Sequence, residues 1–260
     1  MNRIALFGGA YSNHVALKAL IDDAKKRGDE AIFCLGDLGA FGPNPDKVFP
    51  LLHDNHIQVV QGNYDNSVGN DRADCQCGYT DPKDNFFAKI SYDYTYRNTS
   101  QENKRWMRDL PFEIRLRMGK KKVLLCHGSP RKMNEFIWET TSSTAFLERL
   151  CDAYDSDLIV TTHTGLHWHR SLSGGRHFLN CGVIGRPAND GRLNVWYALV
   201  DIYGEYVSVE LVPLNYDWRS LAVEMRAERL PEEFVETIET GYWTTCLEVL
   251  PMKERARGVY

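Results

Sequence analysis

Ala31-Ile32-Phe33-Cys34-Leu35-Gly36-Asp37 decides the fold. Five apolar residues run unbroken into a glycine and then a carboxylate. An apolar run that short, bounded by glycine, reads as a strand buried on both faces. Outward from it the pattern repeats. Ile4-Ala5-Leu6-Phe7 ends at Gly8-Gly9, and Ile57 to Val60 runs on to Gly62-Asn63. Between the first two strands Asn13 is placed to cap a helix. Leu17, Leu20, Ile21 and Ala24 then fall on one face before Gly28. A short helix is expected near 46–54. Strand, helix, strand, helix, strand with glycine turns implies right-handed crossovers and a largely parallel sheet.

Further along, residues 66–98 read as irregular and polar, with Tyr79, Tyr92, Tyr94 and Tyr96. Thr99-x-x-Glu102 reads as a capping box for a helix holding Trp106 and Met107, stopped by Pro111. Ile114, Leu116 and Met118 alternate, and Val123 to Cys126 forms a strand leading to His127-Gly128. A helix near 143–153 precedes the strand Leu158 to Thr161, which leads to His163. Arg176 to Cys181, Leu193 to Asp201 and Tyr206 to Leu211 read as three more strands, the last two joined at Gly204. Everything beyond Asp217 reads as helical and charged. Pro231 starts a helix there, with Phe234, Ile238, Tyr242 and Trp243 at helical spacing. Packing on the main body, a lid and a dimer surface are all open roles for that tail, so a homo-oligomer stays among the expectations. Neither repeats nor low-complexity tracts occur, and no linker is clear. The expected organisation is one domain over 1–215 with a helical extension, 216–260, packed on it.

The 260 residues are 43% apolar and 25% charged, ordinary for a soluble globular protein. With 31 Lys plus Arg against 35 Asp plus Glu, the net charge of −4 carries no sign of a nucleic-acid partner. No apolar run approaches the roughly 18 residues of a membrane span, and Met1 to Phe7 reads as a first strand rather than a signal peptide. Of seven cysteines, four (Cys34, Cys126, Cys151, Cys181) sit in apolar patterns. That fits reduced, buried thiols and a cytoplasmic location.

The chemistry gathers at strand ends. Asp37, Asn63, His127 and His163 each follow a predicted strand and sit beside a glycine or in a turn. Open α/β sheets bind ligands outside the carboxyl ends of their strands. One carboxylate, one carboxamide and two imidazoles converging there suit Zn, Mn, Fe or Ni.

These residues carry a resemblance. Gly36-Asp37, Gly62-Asn63-Tyr64-Asp65, His127-Gly128-Ser129-Pro130 and Thr162-His163-Thr164 resemble, in order and spacing, the motifs of calcineurin-like metallophosphoesterases. The resemblance runs from residue 4 to about 200. It implies an α/β fold: a four-layer α-β-β-α sandwich of two mixed sheets flanked by helices. It also implies a two-metal centre that activates water against a phosphate ester, with Asp37, Asn63, Tyr64 and Asp65 as catalytic candidates. One branch of the family is similar in having Gly-Asn-Tyr-Asp followed by a segment like Asp74-Cys75-Gln76-Cys77-Gly78-Tyr79. Tyr64 there replaces a histidine that assists the leaving group, and a phenol with an ordinary pKa near 10 shuttles protons poorly.

Departures from the family pattern fall on one side. Its opening Asp-x-His corresponds to Gly9-Ala10-Tyr11, and the last histidine of its Gly-His-x-His corresponds to Gly165. All three missing ligands hold one metal in the family. The four that hold the other correspond to Asp37, Asn63, His127 and His163, all intact. The expectation is therefore one divalent or trivalent ion per chain. Substitute ligands for the stripped half are Tyr11, His14, His167, Cys75 and Cys77. The Cys75–Cys77 spacing is too tight for a strain-free disulfide in most backbones, so a loop with two thiols is expected. Phosphate handling is assigned to Asn13, ahead of a helix N-terminus, and to Arg131, preferred over Arg186. The implied function is a metal-dependent phosphoesterase with a reduced or remodelled centre, acting on a small phosphate mono- or diester. The alternative is an inactive member that binds a phosphate-containing ligand or a protein partner.

Overall fold

The glycine-bounded apolar runs form the middle of one of two five-stranded sheets. The computed structural model describes residues 1–256. In chain order, Arg3–Phe7 (β1), His14–Arg27 (α1), Ala31–Cys34 (β2), Val48–Asp54 (α2), Gln58–Val59 (β3) and Asn63–Gly69 (α3) come first. Pro82–Asn98 (α4), Gln101–Arg108 (α5), Glu113–Met118 (β4), Lys121–Cys126 (β5) and Thr144–Ala153 (α6) follow. Then come Leu158–Thr161 (β6), Trp168–Ser171 (β7), His177–Asn180 (β8), Val195–Tyr203 (β9) and Tyr206–Leu214 (β10). Trp218–Ala227 (α7), Glu232–Thr240 (α8) and Met252–Arg255 (α9) complete the described elements.

One sheet runs β10-β9-β1-β2-β3 and the other β4-β5-β6-β8-β7. β1, β2 and β3 are parallel, with β9 and β10 added antiparallel. β5, β6 and β8 are parallel, flanked by antiparallel β4 and β7. Both sheets are thus mixed, where sequence patterning alone suggested a largely parallel one. The period-2 alternation sorts each strand between two layers. Ile4, Leu6, Phe33 and Leu35 meet Val123, Leu125, Leu158 and Val160 between the sheets. Ala5 and Phe7 face the other way, onto a core shared with α1, α2, α4, α7 and α8. Leu124, Cys126 and Ile159 face α6. Helix, sheet, sheet and helix are therefore stacked, the four-layer sandwich that the resemblance implied.

Three expectations change. Residues 66–98 are not irregular: they hold most of α3 and all of α4. Asp81 caps α4 by accepting from the Lys83 N–H, Pro82 occupies its first turn, and Phe87, Ala88, Ser91, Tyr92 and Thr95 form its buried stripe. α5 is capped by Ser100, whose Oγ accepts from the Asn103 N–H, while the Thr99 hydroxyl donates back to the Thr95 carbonyl at 2.7 Å. The tail is not helical throughout. Gly241, left-handed at φ 76°, ends α8, so Tyr242 and Trp243 lie beyond it in a turn-rich stretch. Among the described residues no helix is long and apolar enough to cross a membrane.

The stacking places the ends of β2, β3, β5 and β6 along one edge of the sandwich, where the four strand-end residues meet. Leu125, fully buried between the sheets, tests the inter-sheet core. Leu125→Ala is expected to lower unfolding free energy by about 2–5 kcal/mol, read from denaturant midpoints at unchanged slope.

Candidate metal centre

The turns after β2 and β3 are pressed together. Gly36 adopts φ +86°, and a Cβ there would sit 2.3 Å from the Gly62 nitrogen, so only glycine lets the turns touch. Asp65 fastens them. Its two carboxylate oxygens accept the Asp37, Leu38 and Gly62 N–H groups at 2.8, 3.0 and 2.8 Å. Burial and the nearby Asp37 push its carboxyl up to about 6, against the pull of those three donors. Asp65 is fully buried and bonded to backbone, so it positions Asp37 rather than meeting substrate.

Around His127 Nε2 three acceptors converge: Asn63 Oδ1 at 3.1 Å, His163 Nδ1 at 3.1 Å and Asp37 Oδ2 at 3.3 Å. The ligating atoms of Asp37, His127 and His163 all lie within 4.8 Å of one another. The outer face of each group is already committed. His127 Nδ1 is 2.6 Å from the Leu35 carbonyl, and His163 Nε2 is 3.2 Å from the Cys77 carbonyl. Asn63 Nδ2 donates to the Cys75 carbonyl at 2.9 Å, and Asp37 Oδ1 accepts the Tyr64 N–H at 3.0 Å. Imidazole N–H groups that donate to carbonyls leave the inward nitrogens as lone pairs. With those tautomers the four inward atoms are crowded lone pairs, and a metal ion or a proton on His127 relieves the repulsion. A tetrahedral zinc with bonds near 2.0–2.1 Å sets ligand atoms roughly 3.3 Å apart, close to the spacing here. The residues fit a metal ion.

Without a metal, a proton plays that part. Burial disfavours a charged His127, but the Asp37 carboxylate outweighs it and raises the imidazole above its ordinary value. Burial likewise works against the Asp37 carboxylate, yet His127 and His163 hold it below the usual range. His163, buried and beside His127, is lowered to about 3.

A cavity opens beside this cluster, about 470 Å³ including its mouth, with Asp37, His163, Tyr11, Tyr64 and Arg186 in its wall. The sequence-derived candidates divide around it. Tyr11 lines it, and burial drives its phenol well above the ordinary value. Tyr64 lines it too, with its hydroxyl donating to Ser91 Oγ at 3.0 Å and its phenol also raised by burial. His14 faces Glu224 of α7 at 3.3 Å instead. His167 stacks on Trp196 with ring centroids 4.0 Å apart. Neither histidine belongs to the cluster of Asp37, His127 and His163. Cys75 and Cys77 are disulfide-bonded to each other rather than free, so no thiolate is offered. Left-handed Gln76 (φ 52°) folds the loop and brings the two Cα atoms to 5.3 Å, inside the bonding range. Asn13 spends both ends of its side chain on structure, accepting from the Ala16 N–H and donating to the Ile184 carbonyl. Arg131 is ion-paired with Glu135 at the surface. The preference between the two arginines reverses: Arg186 is in the cavity wall and Arg131 is not.

Sequence reasoning missed the rest of the wall, Phe87 and Ser91 from α4 and Phe234 from α8, with Thr245 and Cys246 beyond it. The spacing 87, 88, 91, 92, 95 was the available signal for the first two. Metal binding must displace the His127 proton. Affinity for Zn or Mn, followed by calorimetry, is expected to fall about tenfold per pH unit once pH drops below the His127 pKa. A flat profile would mean that His127 is not a ligand.

The family model for the calcineurin-like phosphoesterase superfamily domain matches residues 3–205. An uncharacterized protein of Methanocaldococcus jannaschii is 28% identical over 254 residues, covering 92% of this chain and 98% of its own length. A hypothetical protein of Pyrococcus horikoshii shares the fold at TM-score 0.77 and 21% identity, over 94% of this chain and 100% of that one. A metallophosphoesterase of Sphaerobacter thermophilus superposes at TM-score 0.66 with 25% identity, over 92% of this chain and 99% of its own. The strand-end cluster, the two mixed sheets and these matches agree that the chain belongs to the calcineurin-like phosphoesterase superfamily.

Proposed function

We propose that the protein is a metallophosphoesterase working from one retained metal half-site on a small phosphate mono- or diester. The observation that carries this reading is the cluster of three acceptor atoms within 3.3 Å of His127 Nε2. Asp37, Asn63, His127 and His163 would hold the ion, and Mn, Fe, Zn and Ni all suit that donor set. When bound, such an ion supplies Lewis acidity to a phosphoryl oxygen and lowers the pKa of coordinated water. One ion per chain is what the stripped half implies, because Gly9 and Gly165 carry no donor side chain. The chain's own contribution is positional. Asp65 fixes Asp37, the Leu35 and Cys77 carbonyls orient the imidazoles, and the Tyr64 hydroxyl is spent on Ser91. Tyr64 therefore braces the wall.

The second reading, a phosphate-binding member without turnover, is favoured by one observation. Tyr11 and Trp243 side chains stand where ligands from positions 9 and 165 would project. Hydrolysis of nitrophenyl phosphate mono- and diesters separates the two. The parent should turn over, and Asp37→Asn and His163→Ala should each lose about 10²–10³-fold while the purified parent carries one metal per chain. Variants as fast as the parent would remove these residues from the chemistry. A metal-bearing parent that hydrolyses neither ester would favour the second reading.

A further inference from the structure

Arg186 is a guanidinium held almost wholly out of solvent. It is 7% exposed, its Nε has no hydrogen-bond partner, and among the described residues it joins no ion pair. A buried guanidinium without an anion is costly. Aromatic faces cushion it: Trp243, with the guanidinium carbon 3.4 Å from the ring centroid, and Phe41 and Tyr11 at 5.8 and 5.9 Å. Trp243 is itself pinned, its Nε1 donating to the Pro187 carbonyl at 2.6 Å and its N–H to Asn189 Oδ1 at 2.9 Å. The backbone before Arg186 is tied to the stripped corner. Ile184 and Gly185 donate to the Gly8 and Gly9 carbonyls at 3.1 and 2.8 Å.

The stripped corner has been filled by other groups. A Cβ on Gly9 would lie 2.5 Å from Val183 and 2.8 Å from the Tyr11 ring, in a backbone at φ +44°. A Cβ on Gly165 would meet Trp243 at 3.3 Å and the Arg186 Nη2 at 3.8 Å. The side-chain space of the lost ligands thus holds an aromatic box and one permanent cation. That cation lines the same cavity as Asp37 and His163.

The geometry points to an anion subsite in which Arg186 supplies the positive charge that a second metal supplies in two-metal members, and the ligand is a phosphate or phosphoryl group. A guanidinium offers a planar fork of donors matched to phosphate oxygens and keeps its charge at any working pH. The inference rests on the reading of the neighbouring cluster as a metal half-site, which places a second cation across the same cavity.

Inorganic phosphate binding, measured by calorimetry on the metal-free and the Mn-loaded protein, tests it, with Mn content read alongside. Arg186→Gln should weaken phosphate roughly 10- to 100-fold in both states and leave about one Mn per chain. Arg186→Lys should recover part of the loss, because a point charge remains without the fork. A parent that does not bind phosphate, or a Gln variant that binds it equally well, overturns the subsite. A parent without Mn overturns the half-site reading instead, and the metal-free comparison then still decides the subsite. Should the Gln variant not fold, parent crystals soaked in tungstate decide. An anomalous peak in hydrogen-bond reach of the Arg186 guanidinium supports the subsite, and its absence there overturns it.

Discussion

Four polar atoms crowded together around His127 Nε2 are the constraint on which the rest of this molecule depends. With their outward atoms occupied elsewhere, Asp37 Oδ2, Asn63 Oδ1, His127 Nε2 and His163 Nδ1 turn lone pairs on one another unless a metal ion or a proton on His127 lies among them. Such an arrangement is stable only around positive charge. The fold holds it in place against that repulsion. Each group leaves the end of a different strand or the start of the helix behind it, and the sandwich core fixes those ends. Asp65 closes the frame by bonding three N–H groups on the two turns that carry Asp37 and Asn63.

The other flank of the cavity solves a different electrostatic problem. In the proposed reading three ligands are missing from that corner, which would otherwise hold water or collapse. Here the Tyr11 ring, Val183 and Trp243 fill it, and the Arg186 guanidinium lies over the Trp243 face. Part of this wall comes from beyond β10, from α8 and the turn after it. The C-terminal region therefore shapes the cavity as well as covering the sheet. The tail's Phe234 packs against Phe41 and Phe87, with ring centroids 4.8 and 6.0 Å apart, linking the extension to the loop after β2 and to α4.

The sequence was most legible where burial left a sharp signature. Ala31 to Leu35 and Leu158 to Thr161 are apolar runs cut by glycine or a turn, and both are strands whose ends carry the site. It was least legible where polar side chains face a cavity. α4 buries Ser91 and Thr95, and its tyrosines mix buried with half-buried positions, which blurs the helical stripe. The two arginines show a second limit. Arg131 follows a site motif but finds Glu135 one turn away, whereas Arg186 reaches the cavity only because a loop distant in sequence docks on Gly8 and Gly9. The Cys75–Cys77 pair shows a third, since spacing alone does not reveal that left-handed Gln76 folds the loop and joins the two sulfurs.

Anomalous diffraction at the zinc edge, on zinc-loaded crystals, tests the central claim most directly. One ion per chain about 2.0–2.2 Å from Asp37, Asn63, His127 and His163, with Tyr11 and Arg186 in place, is the predicted outcome. A cluster that stays empty, or a second ion that displaces Tyr11 and Arg186 from the opposite corner, would contradict it.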